Sequence, residues 1–147
     1  MSANLKPLTV DEFLAWKRSR PHRYEFDGIQ PVAMTGGGVP HARNVTRLTV
    51  ALGTRVRPPC EAFGSESKGL TPARVRYPDA SVVRGDPENV GDVIGPTVAS
   101  EVLSPSTALI DPRVKAPEYA SMAEIMAYVM LETERPEVPV RRLSKCC

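Results

Sequence analysis

The chain has 147 residues, about one ordinary domain, with 41% hydrophobic and 24% charged residues and a net charge of +2. No apolar stretch approaches the ~20 residues that span a bilayer, and the start, MSANLKPLTVDEF, lacks the pattern of a signal peptide, so a cytoplasmic protein is the expectation. Cys60, Cys146 and Cys147 form neither a disulfide framework nor a zinc spacing, and 15 prolines argue against a pure helical bundle.

Thr9-Val10-Asp11-Glu12 has the form of a capping box and predicts a short helix through about Lys17. The following stretch, Arg18 to Arg23, is basic and broken by Pro21. Tyr24 to Met34 predicts a hairpin that turns at Asp27-Gly28. Gly36-Gly37-Gly38 predicts a flexible loop and is not a P-loop, because no Gly-Lys-Ser/Thr follows it. His41 to Val56 gives the clearest helix, with Val45, Leu48, Leu52 and Val56 on one stripe and Arg43 and Arg47 one turn apart on the other side. Strands are expected near Glu61–Phe63, over Val75–Val83 and over Thr97–Leu103, with a turn-rich connection between the last two. A helix is expected over Val114–Ala123, with Pro117 in its first turn or kinking it. Ala127–Glu132 then reads as a buried strand. This order predicts an α/β (α+β) fold, a mixed central sheet flanked by helices, in a single domain with a core over about 8–133.

Two acids stand inside apolar strand patterns, Asp79 in YPDASVV and Glu101 in ASEVLS. An ionised carboxylate is costly to bury unless it is paired or binds a metal. Adjacent strands would bring the two together, and like charges that close call for a cation such as Mg²⁺, which prefers oxygen ligands and keeps several waters. The alternative for each acid alone is that strand alternation turns it to solvent.

The series RYEFDG, PVAM, His41 with its helix, RYPDASVV, SEVLSPST and DPRVK resembles the Uma-type "putative restriction endonuclease" family of the PD-(D/E)XK nuclease superfamily. The resemblance covers roughly Leu8 to Glu132; EVLSPST is its most specific part, and Pro78-Asp79 supplies the superfamily's PD. It implies a restriction-endonuclease-like fold. It also implies that Asp79 and Glu101, with the backbone carbonyl of Val102, hold Mg²⁺ or Mn²⁺, and that Glu25 is a further acid near the metal. The superfamily usually has lysine two residues after that glutamate, where this chain has Leu103. Members of the family look similar in this respect and carry the lysine on the next helix, which makes Lys115 of Asp111-Pro-Arg-Val-Lys115 the candidate here. His41 falls at the family's histidine position. Relatives continue into a further strand where this chain ends at Lys145-Cys146-Cys147, so 134–147 is expected to be a tail or an incomplete hairpin, as after a C-terminal truncation.

Each candidate has a plainer reading. Lys115 could be a solvated helix lysine, Glu25 a member of a cross-strand ion pair with Arg23 or another base, and His41 a residue near a helix start. Arg43 and Arg47 are candidates for phosphate contact or a solvated helix face. Ser104 and Ser106 have no His-Asp pattern beside them and fit a turn better than a nucleophile. The expected activity is metal-dependent endonucleolytic hydrolysis of DNA, for which a homodimer is compatible by symmetry. The alternatives are a degenerate DNA-binding or interaction protein that keeps the nuclease fold, and an unrelated two-carboxylate enzyme such as a glycosidase. The scarcity of aromatics for sugar stacking counts mildly against the last.

Overall fold

The computed structural model describes residues 6–85, 93–104, 111–132 and 140–142. It opens with helix α1, Val10–Arg18, where the Thr9 side chain accepts from the Glu12 backbone N–H and the Glu12 carboxylate accepts from the Thr9 N–H at 2.7 Å. The reciprocal bonds satisfy two helix-start donors, as the sequence predicts. Strands β1, Tyr24–Phe26, and β2, Pro31–Ala33, pair antiparallel. Asp27 Oδ1 closes the turn by accepting from the Ile29 and Gln30 N–H groups at 2.8 Å each, while Gly28 takes φ +93°, where a side chain is disfavoured.

Helix α2 spans Val39–Arg55, and β3, Cys60–Gly64, and β4, Lys68–Leu70, follow. Sequence reading places one strand over Val75–Val83; the structure divides it. Val75–Arg76 forms β5 and Ala80–Arg84 forms β6, in different sheets. The break falls at Tyr77-Pro78-Asp79, because proline has no N–H to give a sheet ladder. The rest comprises β7, Val93–Ile94; β8, Val98–Leu103; a π-helical turn, Asp111–Lys115; α3, Ala116–Ala120; β9, Ala127–Glu132; and β10, Val140–Arg142. The helix expected over Val114–Ala123 instead runs over Asp111–Ala120 and begins as a π turn, with Pro117 in the first turn of α3. Strands β4 and β7 have no counterpart in the sequence reading.

The one central sheet expected is two sheets of five strands, ordered β2-β1-β5-β4-β7 and β10-β9-β8-β6-β3. The second is mixed: β8 and β9 run parallel, joined through the π turn and α3, and its other pairs are antiparallel. On its α3 side, Ala99, Leu103, Tyr128 and Met130 pack with Ala116, Tyr119, Met122 and Ile125. Helix α2 lies against β3, β6 and β8. Its stripe residues Val45, Leu48 and Leu52 are half-buried. The first sheet packs on α1 through Phe13, Phe26, Val75 and Tyr77, with the Phe13 and Phe26 rings stacked at 5.1 Å. Strand β10 pairs antiparallel with β9; the rest of the expected tail or incomplete hairpin, 133–139 and 143–147, lies outside the described residues.

Candidate active site

The divided strand sets up the site. Between its two halves the chain passes from the first sheet to the second, carrying Arg76, Tyr77 and Asp79 with it. Strand β6 pairs with β8 in a register that ends at Ala80 opposite Ser100. One residue further on, Asp79 comes opposite Glu101. The register therefore juxtaposes the two acids, as cross-strand neighbours. Both line a cleft of about 680 Å³ together with Glu25, His41, Val102 and Lys115.

Neither acid turns to solvent. Glu101 is only 4% exposed, and its Oε1 accepts from Lys115 Nζ at 3.1 Å and from the Tyr119 hydroxyl at 3.4 Å. Asp79 Oδ2 accepts from the Val102 backbone N–H at 2.7 Å and lies 3.4 Å from His41 Nε2. Lys115 also stands 3.7 Å from Glu25 Oε1, so one ammonium sits between two carboxylates. It is not a solvated helix lysine; the π-helical turn aims it inward, and such turns occur frequently at functional sites. Tyr119 is fully buried, and burial, with the Glu101 and Glu25 charges adding to it, raises its pKa well above the usual phenol value. The ring is therefore a neutral donor to Glu101.

Glu25 does more than pair across strands. Its Oε2 accepts from Arg76 at 3.1 Å and its Oε1 from the Tyr77 backbone N–H at 3.1 Å. Its cross-strand partner is therefore another base, Arg76 of the neighbouring strand β5, while Arg23 bonds to Glu66 and to the Ser65 carbonyl. Arg76 makes a two-pronged pair with Glu118 of α3, Nε and one terminal nitrogen each at 2.8 Å, and Arg74 joins Glu118 from outside. This lattice ties the first sheet to the helix that follows Lys115.

His41 is the third residue of α2. Its ring packs over Gly37, where an added Cβ would lie 2.5 Å from His41 Cγ and Nδ1. The glycine loop is thus also a seat for the imidazole. The first turn of α2 carries no acid and borders the cleft through His41 and Ala42, an orientation favourable to an anion.

The donors suit one class of metal. Among the described residues no three His, Cys, Asp or Glu side chains gather into a ready cage, which does not fit a closed zinc site. Magnesium needs only one or two carboxylates, with water and substrate phosphate completing its shell. Asp79, Glu101 and the backbone of Val102 on one cleft wall fit that requirement.

Residues 10–145 match the family described as "Uma2: Putative restriction endonuclease". The chain belongs to this family. Its fold is similar to that of a crystal structure described as "a putative nuclease belonging to DUF820" from Anabaena variabilis, with a TM-score of 0.74 at 18% identity over 95% of this chain and 82% of that one. No curated protein matches the sequence.

Within this Uma2 chain, then, the structure gathers Glu25, His41, Asp79, Glu101, Val102 and Lys115 at one cleft. Arg43 and Arg47 are not brought there; both are exposed on α2, away from the cleft lining. Ser104 lines the cleft, and Ser106 lies outside the described residues. Sequence reasoning missed Arg23, Tyr77, Arg76, Glu118 and Tyr119. The one available signal was the sequence Arg74-Val75-Arg76, cations placed in an apolar strand pattern like the two acids. Among the described residues no helix is long and apolar enough to cross a membrane.

Proposed function

We propose that this Uma2 protein is a metal-dependent DNA endonuclease that hydrolyses phosphodiester bonds in the manner of the PD-(D/E)XK enzymes. The observation that carries the proposal is the convergence of Asp79, Glu101 and Lys115 on one open cleft, with Lys115 Nζ 3.1 Å from Glu101 Oε1. Asp79, Glu101 and the Val102 carbonyl would hold Mg²⁺ or Mn²⁺. Such an ion would supply Lewis acidity toward a phosphoryl oxygen and would lower the pKa of a coordinated water.

The chain's own groups do the rest. Lys115 places positive charge where negative charge develops on the phosphorane-like transition state. Tyr119, held neutral, donates to Glu101 and fixes its rotamer. The Val102 N–H and His41 orient Asp79 in the same way. Glu25, held by Arg76 and the Tyr77 N–H, stands beside Lys115 and keeps its ammonium in the cleft. Water oxygen bonds to phosphorus, the ester oxygen leaves, and the products are a phosphomonoester and an alcohol.

The test is cleavage of plasmid and single-stranded DNA with Mg²⁺ or Mn²⁺, by the native protein and by Asp79→Ala purified in parallel. Cleavage confined to the native protein is expected. Equal cleavage by Asp79→Ala would reject the site. A folded native protein that binds DNA without cutting it would favour the degenerate binding protein instead.

A further inference from the structure

We infer that the basic segment Lys17–Arg23 is a ledge along which a polynucleotide backbone enters the cleft, held by phosphate charge and not by base identity. What happens to that strand rests on the nuclease reading; the ledge itself is a binding surface and can be tested apart from it.

The segment reads Lys-Arg-Ser-Arg-Pro-His-Arg and contains no acid. It holds four positive charges, of which Arg23 is paired with Glu66 outside the segment, against a whole-chain net of +2. The helix dipole accounts for cations in the last turn of α1, Lys17 and Arg18. It does not account for Arg20, His22 and Arg23, which lie beyond the helix end.

The ledge is fastened to the cleft wall. Tyr77 and Arg23 both line the cleft. Lys17 lies over the Tyr77 ring at 4.9 Å and donates to its hydroxyl, and the Arg23 guanidinium lies over the same ring at 5.6 Å. Arg20 rests on Trp16 at 4.8 Å, and Trp16 meets Tyr24 edge-on at 5.0 Å. Aromatic rings thus position Lys17 and Arg20, and Glu66 with the Ser65 carbonyl holds Arg23, before a ligand arrives, which reduces the entropy lost on binding.

Two features identify the partner. The ring at the cleft, Tyr77, is only 2% exposed, so no base can stack on it, and the surface reads phosphates rather than sequence. No large exposed hydrophobic residue falls within the segment, whereas surface helices that hold membranes pair their cations with apolar anchors. The cations run instead to a cleft that ends at Asp79, Glu101 and Lys115. Arg43 and Arg47, exposed on α2 and absent from the cleft wall, are the rival route.

The experiment measures binding of a labelled oligonucleotide, single-stranded and duplex, in EDTA across a salt series. It compares the native chain with R18Q/R20Q and with R43Q/R47Q, each checked for an unchanged thermal midpoint. For R18Q/R20Q the expected result is weaker binding to every sequence tested. Its duplex slope of log K against log salt should flatten by about 1.8, at about 0.9 per lost phosphate contact. Native-like binding by R18Q/R20Q, a larger loss in R43Q/R47Q, or capture of phosphatidylserine vesicles where DNA is not held would overturn the inference. Cleavage by the native protein with R18Q/R20Q binding as native would sink the ledge and leave the nuclease standing. Ledge-dependent binding without cleavage would do the reverse.

Discussion

Two groups of buried charge lie side by side in this protein and do different things. In the first, Arg76 and Glu118, each about 7% exposed at the side chain, are locked by two parallel hydrogen bonds, and neither lines the cleft. In the second, Asp79, Glu101 and Lys115 are also largely buried, but all three face the cleft. Glu25 belongs to both, with one oxygen on Arg76 and the other toward Lys115. Burial of an acid in an apolar strand therefore signals a strong constraint without saying which kind. Access to the cleft separates the group that holds the fold from the group suited to chemistry.

The sharpest way to break the comparison is to remove one carboxylate from the closed group. Glu118→Ala leaves Arg76 buried with half its partners and should cost about 3–5 kcal/mol. Urea unfolding would show it as a lower midpoint at unchanged slope. Removing the cation of the open group should have the opposite profile. Lys115→Met is expected to lower kcat by about 10²–10³, the scale of losing one transition-state donor, with a smaller loss of stability than Glu118→Ala, because Glu101 keeps its Tyr119 donor and Glu25 keeps Arg76 and the Tyr77 N–H. If Lys115→Met unfolds the protein and Glu118→Ala does not, the division between the two groups is wrong.

A smaller effect is expected at Gly37→Ala. The new methyl would overlap the His41 ring, and relief of such crowding typically costs about 1–3 kcal/mol. A shift of the His41 imidazole resonances would show that the seat is disturbed. The last expectation concerns pH. Tyr119 has its folded pKa raised by burial, so the unfolded chain ionises first. Its contribution is complete below the ordinary phenol value of about 10 and is lost as the pH rises from there through the folded value. Tyr119→Phe should remove that alkaline loss of stability while lowering stability in the neutral range by about 1–3 kcal/mol through the lost donor to Glu101; an identical alkaline limb in the variant would count against the assignment.

Much of this was legible in the sequence, and the reasons are local. The cap at Thr9 and Glu12, the turn at Asp27-Gly28, the α2 periodicity and the strand over Ala127–Glu132 are each set by neighbouring residues. Asp79 and Glu101 were visible because a charge inside an apolar run has few explanations. What escaped depends on pairing across long separations. Strand β4, Lys68-Gly69-Leu70, has no alternating pattern and exists because β5 and β7 flank it. The division of Val75–Val83 needed Pro78 to be weighed above an otherwise continuous apolar run. The Arg76–Glu118 pair joins residues 42 apart in sequence, and no spacing rule finds such a partner.

The comparison is tested most directly by titrating Mn²⁺ into the folded protein in a calorimeter, with the native chain, Asp79→Ala and Glu118→Gln side by side. Binding by the native chain is expected, with its loss in Asp79→Ala and its retention in any Glu118→Gln protein that remains folded. Equal Mn²⁺ binding by Asp79→Ala, or its loss only with Glu118→Gln, would contradict the placement of the metal at the open pair.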